Sequence, residues 1–156
     1  MKTKMLATLL LAASQVMAAG LLFAHHSESI NDQDRLVTIK GTVSRFGFTS
    51  PHVQIYLDAK DMEREEDTAP WIATGGNPSS MRRSGWNSKT LQPGEEITLT
   101  GFPYKDGRKI LFWLRILRAN GEELPSADGL QGRLDRFLAT HPDQKLDPPS
   151  KPAAGN

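Results

Sequence analysis

Hydrophobic and polar residues alternate along much of the chain between residues 35 and 117, as in strands that bury one face. In the first run, every second residue from Val37 to Val43 is apolar or small, and threonine or lysine lies between. Similar runs follow, with turn residues between them. Five strands are predicted, and their apolar positions are, in chain order, Val37, Ile39 and Val43; Val53, Ile55 and Leu57; Trp71, Ile72 and Ala73; Ile97 and Leu99; and Ile110, Phe112, Leu114 and Ile116. In the fifth strand, the alternation predicts that all four apolar residues share one face. This pattern predicts an all-β body.

A short helix is predicted between the third and fourth strands. Asn77 is a favourable N-cap, Pro78 suits the first helical position, and Gly85 follows the last turn. Asp106-Gly107 predicts a hairpin turn between the last two strands. Three strands, a helix and two strands is the order of an OB-type fold, a small, partly open five-stranded Greek-key barrel. A small β-sandwich is the alternative, although sandwiches usually have about seven strands.

The barrel domain is predicted to span residues 35–124, with an N-terminal arm at residues 25–34. Beyond Pro125 the strand pattern ends, and residues 127–140 predict one amphipathic helix. The apolar face of that helix comprises Leu130, Leu134, Phe137 and Leu138. The remaining residues are rich in proline, lysine and glycine, which predicts disorder to Asn156. We therefore interpret residues 125–156 as a C-terminal tail appended to the barrel.

Residues 1–24 have the organisation of a secretory signal peptide. Lys2 and Lys4 precede an apolar stretch, and small residues then lead to two cleavage points, after Ala18 or after Ala24. Cleavage after Ala24 would make His25 the first residue of the mature chain. An uncleaved membrane anchor is the alternative, since the apolar stretch is just long enough to span a bilayer. We expect export to the periplasm, with no stable membrane span after cleavage.

Charge and composition exclude several classes of function. Without the signal peptide, which holds two lysines and no acidic residue, the net charge changes from +1 to −1, so we expect no nucleic-acid partner. The chain has no cysteine, which excludes disulfides, thiolate zinc sites and a cysteine nucleophile. None of the serines lies in a nucleophile-elbow motif, and nothing in the sequence gives positive support to catalysis.

The histidines are the candidate metal ligands. If cleavage follows Ala24, the amine and imidazole of His25 can chelate one metal ion together. One further imidazole, from His52 or His26, would complete a three-nitrogen set suited to Cu(II). The alternative is that His25 and His26 lie on a solvated terminus and that His52 is an ordinary turn residue.

A second candidate site is an anion site at the predicted short helix, comprising Asn77, Arg82, Arg83 and Trp86. Free N–H groups and positively charged side chains at a helix end attract anions. The alternative is structural: Asn77 caps the helix, the arginines are solvated, and Trp86 closes one end of the barrel.

Several motifs occur in order along residues 24–124. They are Ala24-His25-His26-Ser27, Val37-Thr-Ile-Lys-Gly-Thr-Val43, Thr49-Ser-Pro-His52, Gly75-Gly76-Asn77-Pro78, Arg82-Arg83-Ser84-Gly85-Trp86 and Pro93-Gly94-Glu95-Glu96. This arrangement resembles an exported bacterial family, domain of unknown function family 6152, although Ser50 and Glu28 depart from its usual residues. The resemblance implies that His25, His26, His52, Arg83 and Trp86 belong to the family motif. It also favours cleavage directly before His25.

The sequence therefore predicts an exported, non-enzymatic binding module, with copper bound through the mature N-terminal histidine. The alternative is an envelope accessory module that binds a partner protein through an edge strand or through the helix at residues 127–140. An enzyme with an anion site at Arg82–Trp86 is a third, weaker hypothesis.

Overall fold

The computed structural model of the protein describes residues 30–64, 66–127, 129–144 and 146. The chain divides into two compact units, Met1–Asn31 and Asp32–Asn156, and the following fold is that of the second. The strands are β1 (Val37–Gly47), β2 (Gln54–Asp61), β3 (Ala69–Thr74), β4 (Glu96–Pro103) and β5 (Ile110–Arg118), and the helices are α1 (Pro78–Arg83) and α2 (Leu130–Thr140). The predicted signal peptide, the first half of the predicted arm, and the residues after Leu146 lie outside the described part of the chain.

The strands form a closed barrel in the order β1-β2-β3-β5-β4, which confirms the predicted five-stranded, mainly β fold. Strands β4, β1, β2 and β3 form a Greek key, and β5 lies between β3 and β4. All neighbours are antiparallel except β3 and β5, which pair in parallel over three residues, from Ile72 opposite Ile110 to Thr74 opposite Phe112. This short parallel pairing closes the barrel.

The barrel interior is filled by the apolar positions of the alternating strands. Fully buried members include Ile39, Ile55, Leu57, Ile97, Leu99, Leu111 and Trp113. Gly41 has no side chain because β1 and β2 approach closely there: a Cβ atom would lie 2.2 Å from the carbonyl oxygen of Asp58. The filled interior leaves ligand binding to the outer surface of the barrel and its loops.

A bulge in β5 changes which residues are buried. Thr100 of β4 pairs with Arg115 and Gly101 pairs with Trp113, so Leu114 has no partner on β4. The extra residue shifts the alternation of side chains between the two faces. Leu111 and Trp113 are buried before the bulge, and Leu114 and Ile116 are buried after it. The expectation that Ile110, Phe112, Leu114 and Ile116 share one face was therefore wrong.

Helix α2 packs on the barrel and is not an appendage to it. Leu130, Leu134 and Phe137 are buried and belong to the same core cluster as the strands. The ring of Phe137 makes an edge-to-face contact with Phe102 of β4, with 5.7 Å between centroids. Neither helix in the described ranges has the length and apolarity needed to cross a bilayer.

Candidate functional site

His52 is exposed, and its ring orientation is fixed by a backbone carbonyl. Its Nδ1 lies 3.1 Å from the carbonyl oxygen of Gly75. A carbonyl oxygen only accepts hydrogen bonds, so Nδ1 must carry the proton and Nε2 of the neutral ring must carry the lone pair. Metal-binding histidines commonly have this arrangement, with the second ring nitrogen donating to a carbonyl or carboxylate. His25 and His26 lie outside the described residues.

The core of the barrel holds the Gly75 carbonyl in place. The N–H of Gly75 donates to the Val53 carbonyl, and the N–H of Val53 donates to the Gly76 carbonyl, each over 3.0 Å. Gly75 also lies against the indole of Trp113, where a Cβ atom would be only 2.0 Å from the ring. His52 is thus connected through Gly75 to one of the largest buried side chains.

A groove of about 240 Å³ adjoins His52, and we call it the His52 groove. It lies between the β1–β2 loop (residues 48–53) and the β4–β5 loop (residues 104–109), next to outward-facing residues of β2 and β3. Its lining consists of Thr49, Ser50, Pro51, His52, Gln54, Ile72, Thr74, Tyr104 and Ile110. The described part of this lining contains hydroxyl, amide, imidazole and apolar groups and no carboxylate, lysine or arginine. OB-type barrels commonly bind their ligands at this position.

Arginine side chains lie over aromatic rings in or next to the His52 groove. Arg45 lies 3.7 Å from the centre of the Tyr56 ring, and the Tyr56 hydroxyl donates to the Gln54 side chain over 2.7 Å. Arg108 lies over Tyr104 and Arg82 lies over Phe48, each at 5.2 Å. The neutral groove is therefore bordered by cation–π pairs.

The four residues predicted as an anion site each contact other parts of the barrel domain. Asn77 caps α1, accepting the Ser80 N–H over 2.9 Å, and Trp86 is buried, donating from Nε1 to the Pro125 carbonyl over 2.7 Å. The guanidinium of Arg82 lies over the Phe48 ring, and Nη1 of Arg83 lies 3.5 Å from the Ser79 carbonyl oxygen. None of the four lines the His52 groove. The cap at Asn77 and the burial of Trp86 agree with the structural alternative, and anion binding by these residues stays a prediction.

A second cavity, of about 320 Å³, lies on the other side of the β4–β5 loop and shares Tyr104 with the His52 groove. We call it the Trp71 cavity. Its lining consists of Asp32, Arg35, Asp61, Arg64, Glu66, Trp71, Pro103, Tyr104, Lys105, Gly107, Arg108 and Lys109. Sequence reasoning missed it because these residues come from distant parts of the chain. The charged stretch at residues 61–67 and the basic β4–β5 loop were the available signals.

Ion pairs organise the Trp71 cavity. Nζ of Lys109 lies 2.7 Å from Glu66, and Arg64 contacts Glu66 at 3.5 Å and Asp61 at 3.8 Å. The hydrogen bond and charge of Lys109 lower the pKa of Glu66 below its ordinary value. Nε1 of Trp71 and Nε of Arg35 are buried without a hydrogen-bond acceptor among the described residues. The cavity therefore contains charged carboxylates that are already paired and two N–H donors that are not.

The described residues alone do not form a metal centre. Within the described ranges, no group of three or more histidine, aspartate or glutamate side chains is close enough to hold a metal ion. Metal binding by His25, His26 and His52 therefore stays a prediction.

Comparison with known proteins gives the family of the chain. No curated protein and no solved structure matches it. The family model described as "Family of unknown function (DUF6152)" matches residues 12–111, which include the strands from β1 to β4 and the start of β5. Since this match covers more than half of the sequence, the chain belongs to the DUF6152 family.

Proposed function

We propose that this protein is an exported, non-enzymatic binding module that holds Cu(II) at the exposed imidazole of His52. The observation that carries the proposal is the hydrogen bond between Nδ1 of His52 and the Gly75 carbonyl. It makes Nε2 the free nitrogen and fixes the direction of the ring before a metal binds. A preoriented ligand loses less conformational entropy on binding than a mobile one.

The remaining copper ligands would come from the mature N-terminus. Cleavage after Ala24 leaves the amine and imidazole of His25 as a chelating pair, and Nε2 of His52 completes three nitrogen ligands. Nitrogen ligands suit Cu(II), whereas Mg²⁺ and Ca²⁺ prefer oxygen ligands. The absence of carboxylates from the lining of the His52 groove supports this choice of metal.

Binding is favoured over catalysis by the chemistry of the same groove. Its described lining contains the imidazole of His52 and the phenol of Tyr104, but no carboxylate that could pair with His52 as a general acid–base partner. The other polar groups are neutral hydroxyls and an amide, which position a ligand without proton transfer.

A Cu(II) titration followed by EPR tests the proposal. The protein is exported with its own signal, its N-terminus is checked by mass, and His52→Gln is compared with wild type. We expect one tightly bound Cu(II) with nitrogen hyperfine splitting, and at least about tenfold weaker binding in His52→Gln. An alanine inserted before His25 should also abolish tight binding.

The matched control is His141→Gln, because His141 stacks on Phe137 at the end of α2 and lies outside the His52 groove. This variant should bind copper as wild type does. Equal affinity of wild type and His52→Gln, or a mature chain that begins at Ala19, would overturn the copper proposal.

The second candidate function is an accessory module that binds an envelope protein. The observation that favours it is the set of exposed arginine–aromatic pairs, since arginine and tyrosine are enriched at the centres of protein interfaces. The apolar face of α2 is buried in the core, so only its polar face would be available to a partner. Double replacement of Arg45 and Arg82 by glutamine should release a co-purifying partner if this function applies, whereas an unchanged complex would contradict it.

A further inference from the structure

The Trp71 cavity has features of a ligand site that the copper proposal does not use. It is separated from the His52 groove by the β4–β5 loop, and its lining is charged where that of the groove is neutral. We propose that the Trp71 cavity binds an oxyanion, the carboxylate or phosphate group of a ligand. This inference does not depend on copper binding at His52.

The balance of charge in the cavity favours an anion. Its lining contains the basic residues Arg35, Arg64, Lys105, Arg108 and Lys109 and the acidic residues Asp32, Asp61 and Glu66. Glu66 is paired with Lys109 and Arg64, and Asp106, next to the lining, is paired with Arg108 at 2.7 Å. Lys105 has no ion-pair partner among the described residues. Among the described lining residues, a positive charge therefore remains after the carboxylates are paired.

The inventory of hydrogen-bonding groups favours an acceptor-rich ligand. Nε1 of Trp71 can only donate a hydrogen bond, and the same holds for Nε of Arg35. Both atoms are buried without an acceptor in the described part of the chain, and Nε of Arg35 lies 4.0 Å from a carboxylate oxygen of Asp32. A buried donor without a partner costs free energy, so such a group calls for a function or a missing ligand. An oxyanion supplies the acceptors that this cavity lacks.

The positions of the side chains suggest separate roles for them. Trp71 is 7% exposed and belongs to β3, so its N–H is a rigid donor. Nζ of Lys109 lies over the Trp71 ring at 5.2 Å, which places positive charge beside that donor. Arg35 and Lys105 are on the flanking segments and are partly or fully exposed, so they can move onto an entering oxyanion.

Indole resonances in a ¹⁵N-labelled, copper-free sample test the proposal directly. Sodium phosphate and sodium glucuronate are titrated separately against sodium chloride at the same ionic strength, which removes general screening. We expect the Nε1–H resonance of Trp71 to shift with saturation, because it gains an acceptor. The resonance of Trp86 should stay in place, because its N–H is already bonded to the Pro125 carbonyl.

Three variants and a control connect the shift to the cavity. Lys105→Gln and Arg35→Gln should each weaken binding about tenfold, as loss of a charge-assisted hydrogen bond predicts. Glu66→Gln should strengthen it, because a negative charge leaves the cavity. Lys89→Gln removes an exposed lysine outside the cavity lining and should bind as wild type does.

Each outcome decides the proposal. Preference for phosphate supports an oxyanion site for phosphate esters, and preference for glucuronate supports one for carboxylated sugars. No saturable shift of Trp71 with either salt would overturn the proposal, as would equal weakening by Lys89→Gln and Lys105→Gln. His52→Gln should leave the titration unchanged, so that failure of the copper proposal and failure of this one are distinguishable.

Discussion

Trp86 and Trp71 are both buried, but their surroundings differ. Trp86 is 3% exposed, stacks on Trp113 at 6.2 Å between centroids, and donates its N–H to the Pro125 carbonyl. Trp71 is 7% exposed, borders the Trp71 cavity, and has an N–H without an acceptor. The indole N–H of Trp86 is hydrogen-bonded within the protein, whereas that of Trp71 has no acceptor among the described residues.

The difference separates a structural region from a region that can bind a ligand. Around Trp86, rings pack on rings: Phe46 lies 6.1 Å away, and the contact with Pro125 joins the segment before α2 to the barrel. Around Trp71, charged side chains surround an open volume. The contacts of Trp86 are those of a structural residue, whereas Trp71 lines a cavity that could bind a ligand.

Gly75→Ala should have the largest effect, because Gly75 connects the aromatic core to the His52 groove. The added methyl group would lie 2.0 Å from the Trp113 ring, which cannot move without disturbing Trp86. We expect a loss of about 3 kcal/mol in the free energy of unfolding, measured by urea denaturation. Copper binding should weaken as well, because the carbonyl that orients His52 would shift.

Gly47→Ala is the matched control for this substitution. Gly47 is the last residue of β1, as Gly75 directly follows β3, but the nearest atom to its added Cβ would be 3.6 Å away, an ordinary van der Waals contact. Its effect on stability should be smaller than about 1 kcal/mol. Equal losses in the two variants would mean that the contact of Gly75 with Trp113 is not the constraint.

The next largest effect comes from replacing each tryptophan by phenylalanine. Trp86→Phe loses packing volume and also the hydrogen bond to the Pro125 carbonyl, so we expect a cost of about 2 kcal/mol. Trp71→Phe loses volume but removes a donor that has no acceptor, so its cost should be about 1 kcal/mol smaller. Urea denaturation of both variants measures the difference. A larger cost for Trp71→Phe would show that its N–H is satisfied within the protein.

The strands were predictable from the sequence because their pattern is local. Alternation from Val37 to Val43 and the Asp106-Gly107 turn specify strands and a hairpin without knowledge of the rest of the chain. The bulge at Leu114 was not predictable, because it depends on how β5 pairs with β4. The packing of α2 was missed for a related reason: its apolar face was recognised, but the surface that covers it is formed only in the fold.

A sequence can nominate a candidate site residue where one residue type carries the chemistry, and metal binding by that residue stays a prediction. His52 was selected because imidazole binds metals, but its bond to Gly75 joins residues 23 positions apart and has no sequence signature. The Trp71 cavity was missed for the same reason, since Arg35, Trp71 and Lys105 come together only when the barrel closes. Asn77 was assigned correctly as a cap because capping is local.

The smallest predicted effect is that of acid. As the pH falls, the Trp71 region should lose stabilising interactions at a higher pH than the Trp86 region does. The pKa of Glu66 is lowered in the folded protein, chiefly by its hydrogen bond to Lys109, from an ordinary value of 4.5. The ion pair therefore stabilises the protein above pH 4.5, and that contribution is lost as the pH falls through the lower folded pKa. Because Glu66 and Lys109 are partly exposed, salt should reduce the effect.

Urea denaturation at successive pH values measures the effect. In Glu66→Gln, the free energy of unfolding should fall less steeply with acid than in wild type. Glu63→Gln, whose side chain has no ion pair in the described part of the chain, should follow wild type. Parallel curves for Glu66→Gln and wild type would show that Lys109 is not held by Glu66, and Lys109 would then be free to serve the oxyanion directly.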